Sequence, residues 1–488
     1  MGMLAVWMNK PQFEYDVHSL VKAFYPAEDV KVFCGEEAET HSSKGLPDIY
    51  IRFGETEVSV TLTAEETMEK KLPHSREEER PAVKNLLKQL LYQVLSRYLH
   101  RELPWGTLTG IRPTKIPMTM LEEGKSKEAI LTYMKETYFI SEEKGRLSID
   151  VAEREKELLS GLHYQDGYSL YIGIPFCPTT CLYCSFTSYP IGAWKKRVSE
   201  YLDALEKEIA YVAEAYRDKI LDTVYIGGGT PTTLEPEELE RLLTAIEKNF
   251  DLHALREFTV EAGRADSITR EKLKTLKKHN ITRISVNPQT MKEETLKIIG
   301  RNHTVEQVRK AFTLAREEGF DNINMDIILG LPRETEEDVA YTVNEIEKLR
   351  PDSLTVHSLA VKRASRLHEW IEANGISTLN NTEDTMKIAA LKAKDMGMEP
   401  YYLYRQKNMS GNFENVGYAA PGKYGIYNIL IMEEKQTIAA LGAGSISKVV
   451  YPDGRIERSD NVKDVGLYIE RIDEMIERKK KLFTCFKR

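Results

Sequence analysis

Ser169-Leu-Tyr-Ile-Gly-Ile-Pro-Phe-Cys177-Pro-Thr-Thr-Cys181-Leu-Tyr-Cys184 joins an apolar run to a loop with three cysteines inside eight residues. Ser169–Ile174 reads as a buried strand. The spacing Cys-x-x-x-Cys-x-x-Cys leaves a metal cluster one protein ligand short. A 4Fe–4S cube normally takes four thiolates, so three local thiolates leave the fourth iron open to a small molecule. An open iron means chemistry rather than plain electron storage. The alternatives are a zinc site or buried structural thiols. Zinc motifs usually bring two ligand pairs, and no second pair is available in the chain.

Outward from that stretch the pattern is strand then helix, repeated six times. The strands predicted are Ser169–Ile174, Thr223–Gly227, Glu257–Glu261, Arg283–Asn287, Asn322–Leu329 and Ser353–Leu359. Amphipathic segments lie between them, among them Val198–Tyr216, Pro236–Asn249, Thr304–Glu318 and Thr335–Leu349. Buried parallel strands with crossover helices fit this alternation. The fold class is therefore α/β, as an incomplete (β/α)6 barrel, because an eight-unit barrel needs nearer ~250 residues.

The barrel region is expected over residues 166–375, with an N-terminal α+β module over 1–165 and a small C-terminal extension over 376–488 that covers substrate. The chain opens on an expected strand, Met-Gly-Met-Leu-Ala-Val-Trp-Met, too short and too little basic at its start for a signal peptide. Val6 stands where myristoylation wants Ser or Thr. Asp48–Leu62 alternates polar and apolar on both sides of Gly54-Glu55, a hairpin. From Arg80 the period is helical, with Val83, Leu86, Leu87, Leu90, Leu91 and Val94 on one face. Pro and Gly mark 103–114 as a loop, and helices run on to about Leu162. No chemical motif is legible in this part. After the six units come a helix at Thr382–Met396, a Gly-, Tyr- and Asn-rich stretch at Phe413–Asn428, and a closing charged helix at Val465–Lys481.

Composition bounds the function. The 488 residues are 41% hydrophobic and 30% charged, with net charge −8, which argues against nonspecific nucleic-acid binding. Five cysteines, three of them in one motif, argue against a disulfide scaffold and for a reducing cytoplasm. No stretch approaches the ~20 apolar residues of a membrane span. Cys34 and Cys485 read as plain thiols, the second in a basic tail.

In parallel α/β folds sites form where strands end. Here the cysteine loop follows strand one, Gly227-Gly-Gly-Thr-Pro231 strand two, Glu261-Ala-Gly-Arg264 strand three and Asn287-Pro-Gln289 strand four. Asp326 lies late in strand five before Gly330-Leu-Pro332, and His357 and Ala360 end strand six. Glycines let a backbone approach a ligand closely. No Lys-Ser/Thr follows, so a phosphate loop fits poorly. His357 reads as a polar strand-end residue rather than a ligand.

These residues, with Tyr171-x-x-x-Pro-Phe-Cys ahead of the cysteines, resemble the radical S-adenosylmethionine (SAM) enzymes, and within them the HemZ-type branch of the oxygen-independent coproporphyrinogen III oxidases. The likeness covers roughly 165 to 475. It implies a 4Fe–4S cluster on Cys177, Cys181 and Cys184, with SAM chelating the open iron. Gly228, Gly229 and Thr230 would hold the amino end of SAM. Glu261 would take its ribose or amino group, Gln289 the ribose hydroxyls and Arg301 the carboxylate. Asp326 would face the adenosyl moiety, with Tyr171, Ala360 and Ile446 lining the pocket. Charge-assisted pairs suit a zwitterionic sulfonium.

The reaction implied is oxidative decarboxylation of two propionates of coproporphyrinogen III, giving protoporphyrinogen IX in heme biosynthesis. An electron from a low-potential donor such as flavodoxin or ferredoxin would cleave SAM, and the resulting radical would abstract hydrogen from a propionate β-carbon. Arg264, Lys362, Arg363 and Arg366 are candidate partners for the tetrapyrrole carboxylates. The family pattern has His two residues after the tyrosine. This chain has Gly173, and Tyr183 is the aromatic before the third cysteine. A heme-binding chaperone, or another radical reaction on tetrapyrroles, uses the same strand ends.

Overall fold

Six segments form parallel strands that lie side by side in chain order: Gly167–Ile174, Ile220–Gly228, Glu257–Glu261, Arg283–Ser285, Ile323–Leu329 and Ser353–Ser358. Register puts Tyr171 beside Tyr225, Ile226 beside Val260, Glu261 beside Ser285 and Ile328 beside His357. Each strand is buried along nearly its whole length. Burial on both faces holds even where polar and apolar residues alternate, as in Glu257–Glu261 and Ser353–Ser358. The computed structural model describes residues 2–26, 28–35, 46–63, 66–71, 80–362, 365–375, 378–406 and 413–486.

Helices Val198–Ala215, Pro236–Asn249, Arg270–Lys278, Val305–Glu317 and Glu336–Leu349 make the crossovers. Their starts are written locally. Thr304 accepts from the Gln307 amide and Thr335 from the Asp338 amide, each with the reciprocal bond of a capping box. Leu239, Leu242, Leu243 and Ile246 bury one stripe of the second helix.

Residues after 375 do more than extend the sheet at one end. Thr437–Leu441 runs parallel to the first strand on its outer side, pairing Ala440 with Tyr171, and Ile446–Val450 and Ile456–Asp460 follow antiparallel. Asn415–Ala419 pairs antiparallel with the sixth strand at the other side. The closing helix is broken into Val465–Glu470 and Ile472–Phe486, so Cys485 lies on helical backbone and not in a tail.

A buried polar knot fixes the first strand to this C-terminal part. Glu208 and Lys479, both fully buried, pair at 2.7 Å. Glu208 also accepts from the Gly442 amide at 2.9 Å, the Tyr468 hydroxyl at 2.6 Å and Asn461 Nδ2 at 2.8 Å. Gly442, at φ +94°, lies so close to strand one that a Cβ there would stand 2.4 Å from the Gly173 carbonyl oxygen. That oxygen accepts from the Tyr201 hydroxyl at 2.6 Å.

Contacts divide the chain into two compact units, Met1–Glu153 with Leu403–Glu414, and Arg154–Tyr402 with Asn415–Arg488. The division falls at 153/154, short of residue 165, and none falls at 375. In the first unit, strands Met3–Met8, Asp29–Cys34, Ile49–Phe53, Glu57–Leu62 and Glu66–Lys71 form one sheet. Helices Glu14–Phe24 and Arg80–Leu99 share a core with it that includes Leu4, Val6, Leu20, Val60, Leu87 and Leu91. The hairpin turns at Gly54, whose amide donates to the Glu57 carbonyl. Cys34 is exposed at a strand end. Among the described residues no helix is long and apolar enough to cross a membrane.

Candidate functional site

The cysteine loop leaves the first strand and is tied down from several sides. Thr230 N donates to the Phe176 carbonyl and Gly229 N to that of Ile174. Leu182 N reaches the Ile299 carbonyl, and Thr179 Oγ1 donates to Gly300 O at 2.9 Å. Arg264 clamps the loop's middle. Its Nη1 donates to Thr179 O at 3.1 Å and Thr179 Oγ1 at 2.9 Å and approaches Cys181 Sγ at 3.8 Å. Its other edge holds Asp266 through two bonds, Nε at 3.0 Å and Nη2 at 2.7 Å. Burial would raise the Asp266 carboxyl, but His303 and Arg264 hold it well below the usual carboxylate range.

The three thiols meet different surroundings. Cys177 Sγ lies 3.5 Å from Thr230 Oγ1, and Cys184 Sγ lies 3.8 Å from Ser188 Oγ. Cys181 is buried and faces two guanidiniums, Arg264 and Arg301. Burial raises the Cys177 thiol to about 11, with its cysteine neighbours adding to the shift.

Across the strand ends, Glu261 is partly buried and receives the Tyr225 hydroxyl at 2.5 Å. Burial pushes its carboxyl up to about 7; Asp326 adds to the shift, while Tyr225, Arg283 and His357 oppose it. Asp326 accepts from Asn324 Nδ2 at 2.6 Å and lies 3.6 Å from His357 Nε2. Burial works against its charge, yet His357 and Asn324 leave its pKa below the ordinary value. Tyr171, Tyr225 and Tyr427 stack beside these acids, with Tyr225 and Tyr427 centroids 4.5 Å apart.

The structure gathers most residues that the sequence singled out. Gln289, at φ +67°, is buried after strand four, and Arg301 Nη1 donates to the Asn287 carbonyl at 2.5 Å. Gly228 ends strand two and Ala360 follows strand six. Ile446 starts a strand and is 45% exposed. The absent Cβ of Gly229 serves the chain's own backbone, since a Cβ would stand 2.5 Å from the Phe176 carbonyl oxygen.

Of the candidate substrate cations, Arg264 needs correcting. Arg264 is 2% exposed and spends its donors on Asp266 and the cysteine loop. Arg366 donates to the Thr180 carbonyl at 2.7 Å, and Lys362 lies over Phe186 beside Cys184. Arg366 is itself exposed and Lys362 half-buried. Arg363 lies outside the described residues. Tyr225, Tyr427, Asp266 and His303 escaped the sequence reading. Tyr225 carried one usable signal, alternation within strand two just before the glycines.

A family model described as the radical SAM superfamily matches residues 171–346. The chain is 43% identical over 402 residues to the oxygen-independent coproporphyrinogen-III oxidase-like protein HemZ of Bacillus subtilis (strain 168), covering 81% of this chain and 80% of that protein. This chain belongs to the radical SAM superfamily, in its coproporphyrinogen-III oxidase-like family. It is also 32% identical over 307 residues to the heme chaperone HemW of Bacillus subtilis (strain 168), covering 63% of this chain and 76% of HemW. Coproporphyrinogen III oxidase (HemN) from Escherichia coli shares the fold, with a TM-score of 0.52 at 22% identity over 66% of this chain and 72% of that one.

The cofactors of a radical SAM chain are a 4Fe–4S cluster and SAM, and the residues present suit both. The three sulfurs influence one another, yet among the described residues no three His, Cys, Asp or Glu side chains close around a single metal ion. Among the described residues, buried Gln289 Oε1, Asn287 Oδ1 and Arg301 Nε have no hydrogen-bond partner. Such orphaned groups are costly unless a ligand satisfies them.

Proposed function

We propose that this chain decarboxylates coproporphyrinogen III oxidatively to protoporphyrinogen IX without oxygen, as an oxidoreductase on an incomplete (β/α)6 barrel. One observation carries the reading: the cysteine loop, Glu261, Gln289, Arg301 and Asp326 converge at the ends of one parallel sheet, in a chain 43% identical to HemZ. Cys177, Cys181 and Cys184 hold the cluster. Gly228, Gly229 and Thr230 hold the amino end of SAM, and Arg301 takes its carboxylate. Glu261 and Gln289 bind its ribose side, and Asp326, Tyr171, Ala360 and Ile446 line the rest. When bound, the two cofactors supply hydrogen-atom abstraction from a propionate. The protein's part is to orient that reaction and exclude water. Residues 376–488 cover the substrate, and a flavodoxin or ferredoxin in the cytoplasm supplies electrons.

Gly173 favours a second reading as a heme chaperone. No side chain stands there to replace the histidine of the oxidase pattern, and the chain is also 32% identical to HemW. Anaerobic incubation with coproporphyrinogen, dithionite and SAM, followed by porphyrin chromatography, separates the two. The oxidase reading expects harderoporphyrinogen and protoporphyrinogen. Methionine and 5′-deoxyadenosine without either product overturn it.

A further inference from the structure

Arg264 Nη1 lies 3.8 Å from Cys181 Sγ, and buried Arg301 adds a second positive charge near that sulfur. Arg264 and Arg301 are 2% and 6% exposed. Cys177 and Cys184 have hydroxyls near them, with a lysine, Lys362, beside Cys184, and Arg264 reaches Cys177 only through its field. A cluster's reduction potential depends on the net charge around it and on hydrogen bonds to its sulfurs. A buried cation favours the added electron, and a buried anion opposes it. Arg264 does not stand alone in this respect. Asp266 grips it through both carboxylate oxygens, and His303 Nδ1 lies 3.8 Å from Asp266. The cation beside Cys181 is therefore partly cancelled by a fixed anion on its far side.

We propose that Arg264 and Asp266 form a counterpoised pair that sets the reduction potential of the cluster through Cys181, with Arg264 raising it and Asp266 lowering it. Arg264 is a positioning residue, acting on the cluster through a ligand and through Thr179. The pair explains why an arginine following strand three is spent on the loop and withheld from substrate carboxylates. The proposal rests on the cluster alone and is indifferent to which tetrapyrrole is bound.

The test is an anaerobic redox titration of the reconstituted full chain, followed by electron paramagnetic resonance, with iron and sulfide measured in each sample. Arg264→Met should shift the midpoint to more negative potential, and Asp266→Asn to more positive potential. Arg264→Lys, which keeps the charge and loses the fork, should fall between Arg264→Met and wild type. A pair that merely braces the loop cannot give shifts of opposite sign. Asp266→Asn retains both arginines, so it decides the sign even where Arg264→Met fails to hold iron. Midpoints that do not move, or that move together, overturn the proposal. So does loss of iron from all three variants. A wild type that binds no iron or sulfide would fail at the earlier step, the cluster itself.

Discussion

Glu208 and Glu261 belong to the same unit, the first fully buried and the second partly buried at a strand end, and their surroundings differ in kind. Glu208 has a lysine, a hydroxyl, an amide side chain and a backbone N–H around its two oxygens. Among the described residues only the Tyr225 hydroxyl donates to Glu261, and burial pushes its carboxyl up to about 7. A buried acid with a full set of partners is part of the scaffold. One left short of partners carries a cost that a ligand can relieve, and such groups gather at functional sites. The first acid secures strand one from behind, and the second waits at the strand ends.

Breaking the complete side should have the largest effect. Lys479→Met leaves Glu208 buried without its cation and should cost about 3–5 kcal/mol in denaturant unfolding, whereas Glu208→Gln with Lys479→Met should recover much of that loss. Recovery no better than the single variant would show that the pair is not the source of the cost.

The incomplete side should respond with the opposite sign. The unfolded Glu261 carboxyl titrates at an ordinary ~4.3, and the folded one at about 7. Between those values the folded state holds a proton that the unfolded state has released. Wild-type stability without cofactor is therefore highest below this window and falls as pH rises through it. Glu261→Gln should flatten the profile and be more stable than wild type at pH 8 by roughly 1–3 kcal/mol, while losing SAM affinity. A variant less stable than wild type at pH 8 would show that the carboxylate is already well served.

The smallest effect concerns Gly173. A Cβ there meets nothing nearer than 3.4 Å, the Leu441 carbonyl oxygen. Gly173→Ala should change stability by less than about 1 kcal/mol, which makes Gly173→His a fair test of restored oxidase chemistry. A larger loss on thermal unfolding would mean that the Gly442 turn tolerates no side chain in front of it.

What could be read from residue order alone follows the range of the forces involved. Strand and helix positions came from periodicity, and the six parallel strands agree with the expectation to within a few residues. The cysteine loop and the strand-end acids were legible because chemistry concentrates rare residue types in short motifs. Pairings across long separations were not. Tyr427 reaches the Tyr171–Tyr225 stack from a stretch without clear period. Thr437–Leu441 finds strand one from far along the chain. Arg264 looked like a substrate cation because its partner Asp266, two residues on, reads as ordinary polar sequence until both are buried.

The contrast between a finished scaffold and an unfinished site has one direct test. The full chain is reconstituted anaerobically, and its reduced spectrum is recorded by electron paramagnetic resonance with and without SAM, beside Cys177→Ala. The account predicts about four irons with sulfide in wild type, a spectrum that changes when SAM binds, and no cluster in the variant. A single zinc without sulfide, or a cluster whose spectrum ignores SAM, would contradict it.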